Sequence, residues 1–175
     1  MPANIEIKAR VRDPARINAL AGALARTPGE LIVQEDTFFV VPRGRLKLRK
    51  LSSTSAELIY YEREDGPGPK ASRYSIFTTS EPDSLKVVLG MSLEMRGVVR
   101  KTRTLYLVGQ TRIHLDEVEG LGSFVELEVV LPPNQSHADG VRIARELMAK
   151  LEIQESELVE QAYIDLLLPK GSTDL

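Results

Sequence analysis

The sequence predicts an α+β fold of about eight β-strands and about four helices, with the strands disposed so that they can close on themselves. Two observations predict it. The β segments alternate, and one face of nearly every one carries Lys, Arg or Glu where a solvated face would mix in Ser, Thr and Gln. The helical segments are amphipathic, so the apolar strand faces have partners to pack against. The charged faces must then meet one another or open solvent. A sheet closed on itself puts them inside a barrel, which at about eight strands has room for side chains or one small ligand.

Residues 5–12 form the first strand. Asn4, Glu6, Lys8, Arg10 and Arg12 lie on one side, and Ile5, Ile7, Ala9 and Val11 on the other. Asp13-Pro14 opens a helix, with Asp as N-cap and Pro in the first helical position. Ile17, Leu20, Ala21 and Leu24 recur at helical spacing until Pro28-Gly29. A strand over 35–41 is apolar at Phe38, Phe39, Val40 and Val41. After Pro42-Arg43-Gly44, residues 45–51 set Arg45, Lys47 and Arg49 against Leu46 and Leu48. Strands 57–64 and 73–79 flank a Gly/Pro turn at 66–69, a hairpin connection. A helix over 81–95 takes its cap from Ser80 or Asp83. A longer strand, 98–108, carries Lys101 and Arg103 on one face. Strands 112–118 and 124–131 end the β portion at Pro132-Pro133. Ser136 caps a helix over 138–151 with Val141, Ala144, Leu147, Met148 and Leu151 on one stripe. Ser156 caps a last helix over 157–168, stopped at 169–171.

The 175 residues suit one domain over 1–175, and 42% hydrophobic with 27% charged residues is an ordinary globular composition. A net charge of −2 provides no basic field for nucleic acid. The absence of cysteine removes disulfides, thiol catalysis and thiolate metal sites. The opening MPANIEIKAR has no signal-peptide core, and no apolar run approaches the ~20 residues that span a bilayer. The expectation is a cytoplasmic monomer or homodimer without nucleic-acid or membrane partners.

The stretch RIHLDEVEGLGSFVELE, residues 112–128, reads as two strands around a Gly turn. Arg112, His114 and Asp116 share one face; Glu126 and Glu128 share a face of the second strand. Three carboxylates on one hairpin surface repel one another unless a metal ion or cationic side chains neutralise them. Any single charged strand face is best read as solvated. Repetition over five or six strands points to a shared interior, and burying that much charge calls for a highly charged ligand. Lys and Arg bind phosphate oxygens. Carboxylates hold a hard ion such as Mg²⁺ or Mn²⁺. A polyphosphate with a divalent cation fits both halves. His114 reads as a hydrogen-bonded structural histidine before a proton carrier or ligand, His137 as a surface residue, and Tyr60, Tyr61 and Tyr74 as packing.

The chain resembles the CYTH family of triphosphate tunnel metalloenzymes, which includes class IV adenylyl cyclases and thiamine triphosphatases. The resemblance runs in order along nearly the whole chain: NIEIK, QEDTFF, GRLKLRK, YYERED followed by GPK, KTR, LDEVEGLGSFVELE and AYIDLL. It implies a closed eight-stranded antiparallel tunnel. Glu6 and Lys8 match the last two charged positions of the family's Glu-x-Glu-x-Lys opening. Lys47, Arg49, Arg63, Lys70, Lys101, Arg103 and Arg112, with Arg10 beside them on the first strand, stand as the phosphate-binding set. Asp116, Glu126 and Glu128, with Glu6, resemble the acidic metal-binding group. Glu6, Lys8 and Asp116 are the residues expected to take part in catalysis. Asn4 departs from the family, which has Glu there; Asn keeps an oxygen acceptor and loses a negative charge. Tyr163 and Asp165 are expected to pin the last helix.

The activity implied is divalent-metal-dependent hydrolysis of an inorganic or small organic triphosphate. Two other readings share the same clamp: a class IV-type adenylyl cyclase converting ATP to cyclic AMP, and a non-catalytic polyphosphate or nucleotide binder.

Overall fold

The computed structural model describes residues 3–63 and 68–168. Eight antiparallel strands close into one barrel in the order β1-β5-β4-β3-β2-β6-β7-β8. They are β1 Ala3–Arg10, β2 Glu30–Phe39, β3 Arg45–Ser52, β4 Ser55–Arg63, β5 Lys70–Thr79, β6 Met95–Val108, β7 Thr111–Val118 and β8 Gly122–Leu131. Four helices accompany them: α1 Pro14–Ala25, α2 Pro82–Ser92, α3 His137–Lys150 and α4 Tyr163–Leu167. The closed tunnel and the helix count match the expectation. None of these helices is long and apolar enough to cross a membrane. Residues 64–67, part of the predicted hairpin turn, and the stop at 169–171 lie outside the described residues.

The outward strand faces pack as the alternation requires. Ile5, Ile7, Ile113, Leu127 and Val129 are buried with Ile17 and Ala21 of α1 and Ala144, Leu147 and Met148 of α3. Each such Ile, Leu, Val or Met side chain contributes on the order of 1.5–3 kcal/mol by leaving water. Asp13 caps α1 by accepting from the Arg16 N–H, and Ser136 forms a reciprocal capping box with Asp139. At Gly140 of α3 a Cβ would sit 2.6 Å from Ile5 and 2.7 Å from Leu131, so the helix lies as close to the barrel as a glycine permits. Leu85, Leu89 and Leu93 on and beside α2 cover Phe39, Leu48 and Ala56.

Several boundaries moved. β1 ends at Arg10, not 12, and β2 begins five residues earlier than expected. The α2 segment stops at Ser92, its N-cap Glu81 makes no side-chain cap bond, and Met95 already belongs to β6. The largest correction is at 157–168. Instead of one helix there is a 3₁₀ turn at Glu155–Glu157, an extended crossing, and the five-residue α4. Pairing with the first strand overrides helical periodicity here: Leu158 bridges Ala9, and the Val159 N–H donates to the Lys8 carbonyl at 2.9 Å.

That crossing closes one end of the barrel. Tyr163 and Ile164 pack on Phe38, Val99, Val118 and Phe124, the interior residues at that end. A Cβ on Gly97 would lie 2.8 Å from Leu168, so glycine there lets α4 settle onto β6. At the opposite end no such segment crosses the barrel among the described residues.

Candidate functional site: a charged chamber with one open end

Inward-facing residues line a cavity of about 400 Å³. Every strand contributes, because the helices have claimed the other parity of β1, β7 and β8. The wall includes Glu6, Lys8, Lys47, Arg49, Arg63, Lys70, Lys101, Arg103, Arg112, Glu126 and Glu128. These are the expected positions except two. Arg10 is exposed and lies over the Phe124 ring at 4.9 Å, outside the chamber. Asp116 is also absent from the wall, because its carboxylate is buried behind it.

Asp116 is 1% exposed and saturated. It accepts two bonds from Arg103 at 2.7 and 2.6 Å, one from the Tyr163 hydroxyl at 2.9 Å, and has Lys101 at 3.4 Å. Burial alone would raise its pKa, yet Lys101 and Arg103 hold it below the usual carboxylate range. Three of these four contacts fall on Oδ2 and one on Oδ1. Asp116, expected in the metal-binding and catalytic group, is here bonded to Arg103, its cross-strand partner in register, and orients that guanidinium.

A residue that sequence reasoning missed does the same on the other side. Asp36 takes both Arg49 donors at 2.8 Å and Lys47 at 3.0 Å. Arg49 and Lys47 hold its carboxyl far below the ordinary range despite full burial. The signal was present: Asp36 sits in QEDTFF with the parity of Gln34 and Phe38, and Asp36 and Arg49 are direct neighbours across β2 and β3. Two buried aspartates thus fix two Arg/Lys pairs with their charged heads in the chamber.

Three of the remaining cations rest on the closing segment. Lys70 and Arg63 donate to the Glu160 carbonyl at 2.9 and 3.0 Å, and Lys8 donates to the Gln161 carbonyl at 3.2 Å. The Tyr163 ring forms the floor, 3.9 Å below the Lys8 ammonium and 5.0 Å from that of Lys101. Asp165 does pin its helix, binding Arg45 at 3.0 Å and Arg96 at 2.6 Å. Burial, with Arg103 nearby, brings Lys101 down to about 7.

The three glutamates stand on adjacent strands, with Glu6 opposite Glu128 and Lys8 opposite Glu126. Glu126 meets Arg103 at 2.8 Å and Lys8 at 3.3 Å. Glu128 takes Arg112 at 3.1 Å and a bond from the Asn4 amide; the Asn4 Oδ1 is buried with no donor. Glu6 has Arg63 at 3.9 Å and a hydrogen bond with Ser72, and its pKa is nonetheless raised, by burial and then by Glu126 and Glu128. His114 lies 3.8 Å from Glu126 and 3.9 Å from Glu128, too far for the expected hydrogen bond, and burial keeps it neutral.

Among the described residues no three acidic or histidine side chains form a ready-made cation cage. The donor set still fits a hard divalent ion. Glu6, Glu126 and Glu128 supply only oxygen, and their mutual repulsion is what such an ion would relieve.

Comparison with known proteins converges on one family. The CYTH domain matches residues 2–163. "Adenylate cyclase CyaB" of Aeromonas hydrophila is 24% identical over 172 residues, covering 91% of this chain and 85% of that protein. The PH1012 protein of Pyrococcus horikoshii superposes with a TM-score of 0.78 at 24% identity, covering 93% of this chain and 98% of its own. HpAC1 from Hippeastrum, described as revealing a dominant triphosphatase activity, superposes with a TM-score of 0.60 at 16% identity, covering 91% of each chain.

Proposed function

Given that the chain belongs to the CYTH family, we propose that it is a divalent-metal-dependent hydrolase of a triphosphate. The observation that carries this reading is the depth of the acids. Glu6 and Glu126 stand opposite Lys70 and Lys8, the cations nearest the closed floor. A triphosphate entering from the open end brings its terminal phosphoryl group to them.

Lys8, Lys47, Arg49, Lys101 and Arg103 hold the phosphate oxygens, with Asp36 and Asp116 fixing their directions. Glu6, Glu126 and Glu128 would hold the ion. When bound, a divalent cation neutralises charge developing on the phosphoryl oxygens. Glu6, the least compensated acid, orients a water and accepts its proton as the water oxygen bonds to the terminal phosphorus. The bridging P–O bond breaks and its electron pair leaves with the shortened polyphosphate. Lys8 and Lys101 stabilise the charge there.

A second reading, ATP cyclisation, is favoured by the similarity to Adenylate cyclase CyaB over 91% of the chain. The protein is incubated with inorganic triphosphate and with ATP, each with Mg²⁺ or Mn²⁺, and free phosphate and cyclic AMP are measured. Phosphate release without cyclic AMP is expected; cyclic AMP without free phosphate would overturn hydrolysis.

A further inference from the structure

The outside of the barrel is covered unevenly. α2 lies over Phe39, Leu48 and Ala56, and the first half of β2 stays bare: Leu31 and Val33 are 69% and 66% exposed. The helix beside them is itself apolar toward solvent. Its only charged residues, Asp83 and Lys86, turn to the neighbouring strands, where Asp83 accepts from Lys50 at 2.7 Å and Lys86 donates to Glu35 at 3.4 Å. Val87 and Gly90 continue that side of the helix at i, i+3 and i+4 spacing. Met91, one turn beyond Val87, is 84% exposed, and Val87 and Val88 are both more than half exposed. A helix that is apolar all round belongs in an interior. Val33, Glu35 and Lys50 line one outer hollow of about 710 Å³, so the bare strand and the residues that anchor α2 form a single surface.

Gly90 is a second, independent observation. It lies exposed inside the helix, and a Cβ there would meet nothing within 4 Å. Glycine costs an exposed helix interior about 1 kcal/mol relative to alanine, and no contact among the described residues asks for it. A second backbone crossing at that point would. We propose that this face is a homodimer interface, in which α2 crosses the α2 of a second copy at Gly90. Val87 and Met91 pack around the crossing, and Leu31 and Val33 are covered beside it. Charge favours a second copy as the occupant. A two-fold axis turns a patch onto itself, so unpaired charge on it would meet its own image. Here the charges beside the patch are paired within the chain, Lys86 and Arg100 with Glu35, and Lys50 with Asp83. A lipid surface fits less well, because Glu81 and Glu94 flank the helix where a membrane-lying helix carries Lys and Arg.

Sedimentation velocity over a dilution series from about 100 μM to about 1 μM tests it. The wild-type chain should sediment as a dimer at the upper end of the series. Gly90→Leu blocks the crossing and Met91→Asp places a charge against its image, so each should raise the dissociation constant at least about tenfold. Both side chains face solvent in the single chain, so both variants fold as monomers, and Gly90→Leu should gain stability in urea at the lowest concentration. A wild-type chain that stays monomeric throughout the series would overturn the interface, and so would a dimer that both variants leave intact. Vesicles of phosphatidylcholine and phosphatidylglycerol are pelleted in parallel. Wild type carried down with them while Met91→Asp stays in solution would give the face to lipid and overturn the dimer.

Discussion

Asp116→Asn separates a structural clamp from a metal ligand. The substitution keeps the shape of the side chain. It removes one of the two negative charges bonded to Arg103, leaving Glu126, and turns an amide donor toward other donors. The Arg103 and Lys101 side chains are 6% and 3% exposed, so water cannot compensate. Breaking a buried pair by removing one partner costs about 3–5 kcal/mol. For a domain of this size each kcal/mol moves the melting temperature by roughly 2–4 °C, which sums to a fall of roughly 6–20 °C. The assay is a thermal melt with and without inorganic triphosphate. The uncovered positive charge faces the chamber, so the polyanion should recover part of the loss, and more in the variant than in the wild type. A melting temperature within a degree or two of wild type, accompanied by weakened binding of Mg²⁺ or Mn²⁺, would refute the clamp and return Asp116 to the metal group.

Lys101, with a pKa of about 7 in the folded chain against an ordinary 10.5, is neutral in the native state between those values while the unfolded chain stays protonated. Its contribution therefore makes stability rise with pH across that window. Triphosphate binding favours the ammonium, so at pH 8 it should take up a proton. Calorimetry in two buffers of different ionisation heat measures this, and Lys101→Met should abolish it. Asn4→Glu sets a fourth carboxylate beside Glu6 and Glu128 and leaves Glu128 without its amide donor. Metal-free melts should fall by about 1–3 kcal/mol, and Mg²⁺ or Mn²⁺ should restore them; melts indifferent to the ion would reject the acidic group as a cation site. Gly140→Ala forces a methyl onto Ile5 and Leu131, so stability should drop by about 1–3 kcal/mol in urea titrations. Triphosphate affinity should not change, because the contact lies outside the chamber.

Alternation made the barrel legible, because β1, β3, β7 and β8 keep most of their charged and apolar residues on opposite parities. It failed where both parities are apolar. Leu31, Ile32 and Val33 give no period of two, so the first half of β2 went unseen, although Ile32 faces the chamber while Leu31 and Val33 are exposed outside. Helical spacing misled at 157–168, where a strand-like bridge to Ala9 outweighs local preference. The chamber's acids show a different limit. Parity says that Asp36, Asp116, Glu6, Glu126 and Glu128 point inward, but it is silent on which are already engaged. Register settles that. Asp36 falls directly opposite Arg49, and Asp116 directly opposite Arg103, so both are consumed within their own strand pairs. Glu6 falls opposite Glu128 on one side and Lys70 on the other, and Glu126 and Glu128 both raise its pKa. The acid left least compensated is thus decided by cross-strand sums far apart in sequence. Here that acid is Glu6, one strand step inward from the Asn4 that replaces the family's glutamate. An amide at position 4 lowers the repulsion Glu6 and Glu128 would otherwise feel. On the proposed function, the same amide leaves a bound cation one carboxylate fewer than a glutamate at position 4 would supply.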